Sequence, residues 1–129
     1  MYLVDSSVWI ALFLDDDTQH AKAVAVMARI RDGSIQVPYG VILETATVLA
    51  RKQSKEQANK FVEFVRSSPQ IEIVSPFSSR DIEIFLKEPD RLSFVDIILK
   101  EMTWREGSTL ISFDQKLVSS LTRSRDVRL

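Results

Sequence analysis

Four acidic residues stand where acids are expensive. Asp5 follows Tyr2-Leu3-Val4, Glu44 lies inside Val41-Ile42-Leu43-Glu44-Thr45-Ala46, Asp96 inside Phe94-Val95-Asp96-Ile97-Ile98-Leu99, and Asp114 follows Leu110-Ile111-Ser112-Phe113. An isolated buried carboxylate costs several kcal/mol unless it is paired, hydrogen-bonded or bound to a metal. Carboxylates crowded together also raise one another's pKa, and a hard divalent cation relieves that repulsion. Mg²⁺ takes oxygen ligands and keeps several waters, so it suits a partial carboxylate cage completed by a phosphate. Such a site generates hydroxide and stabilises an in-line phosphoryl displacement. The chemistry indicated is metal-dependent cleavage of a phosphodiester. With no cysteine and a single histidine, His20, a zinc site is not indicated.

Each acid has a plainer reading beside this one. Asp5 and Asp114 are placed to cap helices. Asp96 stands three residues after Ser93, the spacing of a capping box. Glu44 is harder to explain away, because its helical neighbours Val41 and Val48 are apolar. The other acids, Asp15–Asp17, Glu56, Glu63, Glu72 and Glu88, read as members of solvated faces.

The elements that must position the four acids alternate in period. Tyr2–Val4, Ile35–Val37, Ile71–Val74 and Thr109–Ser112 are short apolar runs of strand character. Between them fall helical stretches. The first runs over about Val8–Leu14 with Ser6 and Ser7 able to cap it, and the second from a Thr18 cap to about Arg31, closed by Gly33. After Pro38 and a Tyr39-Gly40 turn comes a helix over about Val41–Lys52. Ser54 caps another to about Arg66, Ser78 or Ser79 starts one to about Lys87, and Ser93 starts one through Glu106 ending at Gly107. A short helix follows Asp114. Strands alternating with helices predict a three-layer α/β/α sandwich with a mainly parallel central sheet. In such units helix N-termini meet the carboxyl ends of strands, so all four acids fall on one edge of the sheet, where open α/β folds place ligands.

Composition agrees with one α/β domain spanning residues 1–129. The chain is 45% hydrophobic and 27% charged, with a net charge of −1. That balance is not a polycation, so any nucleic-acid surface is local. The absence of cysteine excludes a disulfide scaffold and a thiolate nucleophile. No apolar run reaches the ~20 residues of a membrane span. Asp5 and the Asp15-Asp16-Asp17 run, with no basic segment before them, argue against a signal peptide. The expectation is a soluble, cytoplasmic protein.

At these residues the sequence resembles the PIN-domain ribonucleases, most closely the VapC toxins of VapBC toxin–antitoxin pairs. Tyr2-Leu3-Val4-Asp5-Ser6-Ser7 is similar to the family's opening strand, and Glu44 to its helix glutamate. Leu92-Ser93-Phe94-Val95-Asp96 and Leu110-Ile111-Ser112-Phe113-Asp114 resemble the third and fourth acid segments. The resemblance implies an RNA endonuclease whose Asp5, Glu44, Asp96 and Asp114 hold one or two Mg²⁺ or Mn²⁺ ions, with Ser6 and Ser112 in support. It also implies a VapB-like antitoxin that occupies the groove, and a homodimer. Gln115-Lys116-Leu117 after Asp114 departs from relatives that carry a further acid there, which argues against a fully populated second metal site.

Arg51, Lys52, Arg105 and the tail arginines Arg123, Arg125 and Arg128 are the candidate RNA contacts. His20 is expected to be exposed, and Trp9 and Trp104 to serve packing. The Val8–Leu14 helix and Tyr39 are candidates for a dimer or antitoxin surface. A phospho-acceptor receiver domain is excluded, since no Asp occurs between Asp32 and Asp81. An aspartyl phosphatase wants Asp-x-Asp after the first strand, where Ser7 stands. A non-catalytic PIN-like binding module is the remaining alternative.

Overall fold

The computed structural model describes residues 1–75 and 78–128, with 122–128 described by backbone alone. Its elements run β1 (Tyr2–Val4), α1 (Ser6–Phe13), α2 (His20–Arg29), β2 (Ile35–Pro38), α3 (Tyr39–Lys52), α4 (Lys55–Ser67), β3 (Ile71–Val74), α5 (Ser79–Lys87), α6 (Phe94–Glu106), β4 (Thr109–Ile111) and α7 (Gln115–Arg128). The strands form a parallel sheet in the order β3-β2-β1-β4. Leu3 of β1 lies opposite Gln36 of β2 on one side and Leu110 of β4 on the other. The fold is the expected α/β sandwich.

The chain builds outward from β1 through β2 to β3, then crosses back to lay β4 on the other side of β1. Right-handed crossovers put helices from opposite directions of travel on opposite faces. Accordingly α1 packs on α2 and α3, and α3 on α4, while α5 packs on α6 and α6 on β4. The reversal makes the gap between β1 and β4 a topological switch point, the crevice in which α/β sheets hold ligands.

Continuous apolar runs explain the central strands: Leu3, Val4 and Val37 are fully buried and Ile35 almost so. Trp9 of α1 sits in the core, donating its indole N–H to the Val4 carbonyl at 3.1 Å. Phe61 of α4 meets Trp9 and Phe13 at ring-centroid distances of 5.6 and 5.5 Å. Gly33 permits a close approach before β2, since a Cβ there would lie 2.5 Å from the Tyr2 ring.

Several helix boundaries follow the local signals. Ser54 accepts the Gln57 N–H at 3.1 Å, Asp81 accepts the Ser78 N–H at 2.9 Å, and Gly107 ends α6 in the left-handed conformation with φ 68°. Others differ. Ser6 and Ser7 are not caps but the first helical residues of α1, since Asp5 occupies the N-cap position. Thr18 does not cap α2: Gln19 stands at that position, and Asp17 accepts the Gln19 N–H at 2.8 Å. Tyr39 and Gly40 are helical rather than a turn, because extended Pro38 serves as the boundary. The final helix is longer than expected and reaches Arg128.

Candidate functional site

Asp5 leaves the carboxyl end of β1 with only 3% of its surface exposed. Its N–H donates to the Ile111 carbonyl at 2.9 Å, which ties it to β4. Although it holds the N-cap position of α1, its side chain makes no capping bond. The carboxylate turns instead to two hydroxyls: Ser112 Oγ donates to Asp5 Oδ2 at 2.8 Å and Ser7 Oγ at 3.0 Å.

Both serines also accept from the segment after β4. The Phe113 N–H donates to Ser7 Oγ and the Asp114 N–H to Ser112 Oγ, each at 3.0 Å. A hydroxyl has one proton to give and lone pairs to accept with. Each serine therefore spends its proton on Asp5 and a lone pair on the β4–α7 connection, fixing the two walls of the crevice to each other.

Glu44 lies half-buried in the second turn of α3, whose N-terminus adjoins the carboxyl end of β2. It accepts a short hydrogen bond from Ser6 Oγ, which lies 3.4 Å from Asp5 Oδ1. Ser6 thus stands between Asp5 and Glu44, its single proton committed to the glutamate.

Asp96 is the third residue of α6 and closes a capping box with Ser93, both bonds at 3.1 Å. Burial pushes its carboxyl up to about 6, the Ser93 hydrogen bonds oppose that rise, and the charges of Asp5 and Asp114 add to it. Asp96 therefore feels both acids of the crevice. Asp114 caps α7, its Oδ1 accepting the Lys116 N–H at 3.0 Å. The capping readings of Asp96 and Asp114 hold together with their place on the site, because a cap satisfies one oxygen of a carboxylate and leaves lone pairs over.

The structure thus brings Asp5, Glu44, Asp96, Asp114, Ser6 and Ser112 to the carboxyl edge of the sheet around β1 and β4. Among the described residues, no three His, Asp or Glu side chains are drawn into a tight cage for a metal ion. The donors still fit a hard cation: they are all oxygens, and like-charge repulsion on Asp96 is what a cation removes. Mg²⁺ is held by one or two carboxylates with several waters, so an open arrangement is compatible with it.

Ser7 belongs to this network and the sequence reading assigned it no support role; the Asp5-Ser6-Ser7 triplet was the available signal. Lys22 was also missed. Its Nζ lies 4.8 Å from the centroid of the Phe113 ring. Nothing in the local sequence of α2 signals that contact, which joins α2 to the β4–α7 connection.

The other residues singled out by sequence occupy varied places. Arg51 and Lys52 end α3 and Arg105 is in the last turn of α6, whereas Glu44 lies in the second turn of α3 and Asp96 in the first of α6. At about 1.5 Å rise per residue, Arg51 lies about 10 Å and Arg105 about 13 Å along the axis from the acid of its own helix, toward the opposite edge. The side chains of Arg123, Arg125 and Arg128 lie outside the described residues. The α1 helix is no open surface, since Val8, Trp9 and Ala11 are buried. Tyr39 is exposed, with Leu43 exposed one turn on. His20 is half-buried, its Nδ1 2.8 Å from the Ala11 carbonyl. Glu88 is not solvated: its side chain is 8% exposed and pairs with buried Lys100 at 2.8 Å, because the α5–α6 connection folds it against α6.

The family model described as PIN domain matches residues 2–119. Among curated proteins none matches the sequence. Solved structures share the fold. VapC20 of Mycobacterium tuberculosis, described as a Sarcin-Ricin loop cleaving toxin, superposes with a TM-score of 0.82 at 20% identity, over 93% of this chain and 95% of that one. PAE2754 from Pyrobaculum aerophilum gives 0.61 at 16% identity, covering 92% and 82%. VapBC2 from Rickettsia felis, bound to a DNA fragment from its promoter, gives 0.62 at 15% identity, covering 92% and 91%.

Proposed function

Since this chain belongs to the PIN domain family, we propose that it is a metal-dependent endoribonuclease that hydrolyses RNA phosphodiester bonds as the toxin of a toxin–antitoxin pair. The observation that carries this reading is the hydroxyl network in which Ser6 joins Glu44 to the Asp5 side, while Ser7 and Ser112 tie Asp5 to the segment bearing Asp114. A structural cap needs no such convergence of three further elements.

In this reading Asp5, Glu44, Asp96 and Asp114 hold Mg²⁺ or Mn²⁺, which when bound supplies an activated water and neutralises charge building on the phosphate. Ser7 and Ser112 orient Asp5 by donating two hydrogen bonds to Oδ2. Ser6 aims Glu44 by donating to Oε1. Asp96, with a carboxyl near 6, keeps part of its proton in the cation-free site and releases it as positive charge arrives. Burial of Asp5 keeps bulk water from competing for its oxygens.

The likeness in fold to a toxin–antitoxin complex supports a VapB-like antitoxin as partner, and the same reading takes residues 1–129 as one domain that acts in the cytoplasm. Exposed Tyr39 and Leu43 beside Glu44 give such a partner an apolar seat next to the groove. Exposed Ile82, Phe85 and Leu86 on α5, with Phe85 stacked on Phe94 at 5.1 Å, support a homodimer that covers them. Leu86→Glu then turns the dimer into a monomer in sedimentation, and an unchanged dimer removes α5 from the interface.

The test of the activity is cleavage of a labelled RNA by wild type, Asp5→Asn and Asp96→Asn, with Mg²⁺ or Mn²⁺ and with EDTA. Metal-dependent cleavage by wild type, lost in both folded variants, is the expected result. An RNA that is bound by all three proteins and cut by none would instead identify a non-catalytic binding module.

A further inference from the structure

The site is anionic, and the chain carries a net charge of −1. A polyanion approaching four carboxylates needs a cation at the rim of the crevice. The arginines and lysine ending α3 and α6 lie at the helix ends remote from Glu44 and Asp96, so they do not charge the rim beside those acids.

Lys22 of α2 is exposed, and its ammonium lies 4.8 Å from the centre of the Phe113 ring. Phe113 stands between Ser112 and Asp114, and its N–H donates to Ser7 Oγ, which donates to Asp5. Three contacts therefore link the Lys22 charge to the buried carboxylate. Among the described residues no carboxylate forms an ion pair with Lys22. An aromatic face attracts a cation without neutralising it. The ring holds the ammonium beside the acids and leaves its charge and three donors for another partner.

From this geometry we infer that Lys22, steadied by Phe113, is a substrate-binding residue that contacts a backbone phosphate of single-stranded RNA next to the scissile one. Lysine binds phosphate as a point charge on a flexible stem, which suits a non-bridging oxygen of varying position and carries no base preference. The inference rests on the nuclease reading above and adds the residue that brings RNA to it. If Lys22 only laid its stem on Phe113 to secure α2, its removal would change stability and leave RNA binding alone.

The test measures anisotropy of a fluorescein-labelled single-stranded RNA across a salt series, in an Asp96→Asn background that prevents cleavage, with wild-type cleavage run in parallel. Lys22→Gln is expected to weaken binding several-fold at low salt and to lower the slope of log K against log salt by about 0.7, one phosphate contact. Lys22→Arg keeps the slope. Arg51→Gln, on the far edge, leaves it unchanged. A Lys22→Gln slope equal to its parent's, while wild type cleaves RNA, overturns the Lys22 assignment alone. If wild type neither binds nor cleaves RNA, the nuclease reading falls and this inference with it.

Discussion

Ser112 Oγ donates to Asp5 Oδ2 across 2.8 Å, joining residues 107 positions apart in the chain. The same oxygen accepts the Asp114 N–H, so one hydroxyl holds two acids of the crevice in register. An aligned pair of parallel strands makes this possible: Val4 lies opposite Ile111, so the residues that follow each strand emerge side by side.

Ser112→Ala removes the donor to Asp5 and leaves the Asp114 N–H without its acceptor. A buried group left unpaired costs about 1–3 kcal/mol, so thermal melting falls by several degrees. Groups that orient metal-binding carboxylates change activity by about 10–100-fold when removed, and RNA cleavage is expected to fall by that much. Ser7→Ala acts in the same direction. A lowered melting temperature with full cleavage rate would show that these serines serve the fold alone.

Asp96 makes stability depend on pH. Its carboxyl is raised to about 6 in the folded protein, against about 3.9 unfolded. The folded state thus holds the proton more tightly, and this favourable contribution is complete below about pH 4 and lost as pH rises through 6. In metal-free buffer the melting temperature declines over that window. Asp96→Asn flattens the decline and melts about 1–3 °C above wild type at neutral pH, a small effect because the group is partly solvated. Parallel pH–melting curves decide the matter.

Divalent cation should stabilise the folded chain. At ten times its dissociation constant, Mn²⁺ adds about 1.4 kcal/mol, a shift of a few degrees at this size. Asp5→Asn and Asp96→Asn are expected to shrink that shift. Calorimetric scans with Mn²⁺ and after chelation measure it; identical shifts in all three proteins would place the cation elsewhere.

The Lys100–Glu88 pair offers a test apart from the crevice, since the two side chains are 2% and 8% exposed. Lys100→Met strands the Glu88 carboxylate and is expected to cost about 3–5 kcal/mol. Adding Glu88→Gln to it removes the stranded charge and recovers much of that loss. Urea unfolding of the single and double variants gives the coupling, and additive losses would mean that the two charges do not act as a pair.

Local patterns carried much of this protein. Three-to-four-residue apolar runs, the caps at Ser54 and Ser93, and the stop at Gly107 specify elements within a few residues of themselves. Element order then places Asp5, Glu44, Asp96 and Asp114 on one edge, because strands end there and the helix leading into the next parallel strand must run back from it. What the chain could not announce is the strand order, in which β4 pairs with β1 rather than with β3. That choice depends on contacts far apart in sequence, and with it come the Asp5–Ser112 bond, the Lys22–Phe113 contact and the buried Glu88. Residue type and spacing report what a side chain can do; only the closed sheet decides which side chain it meets.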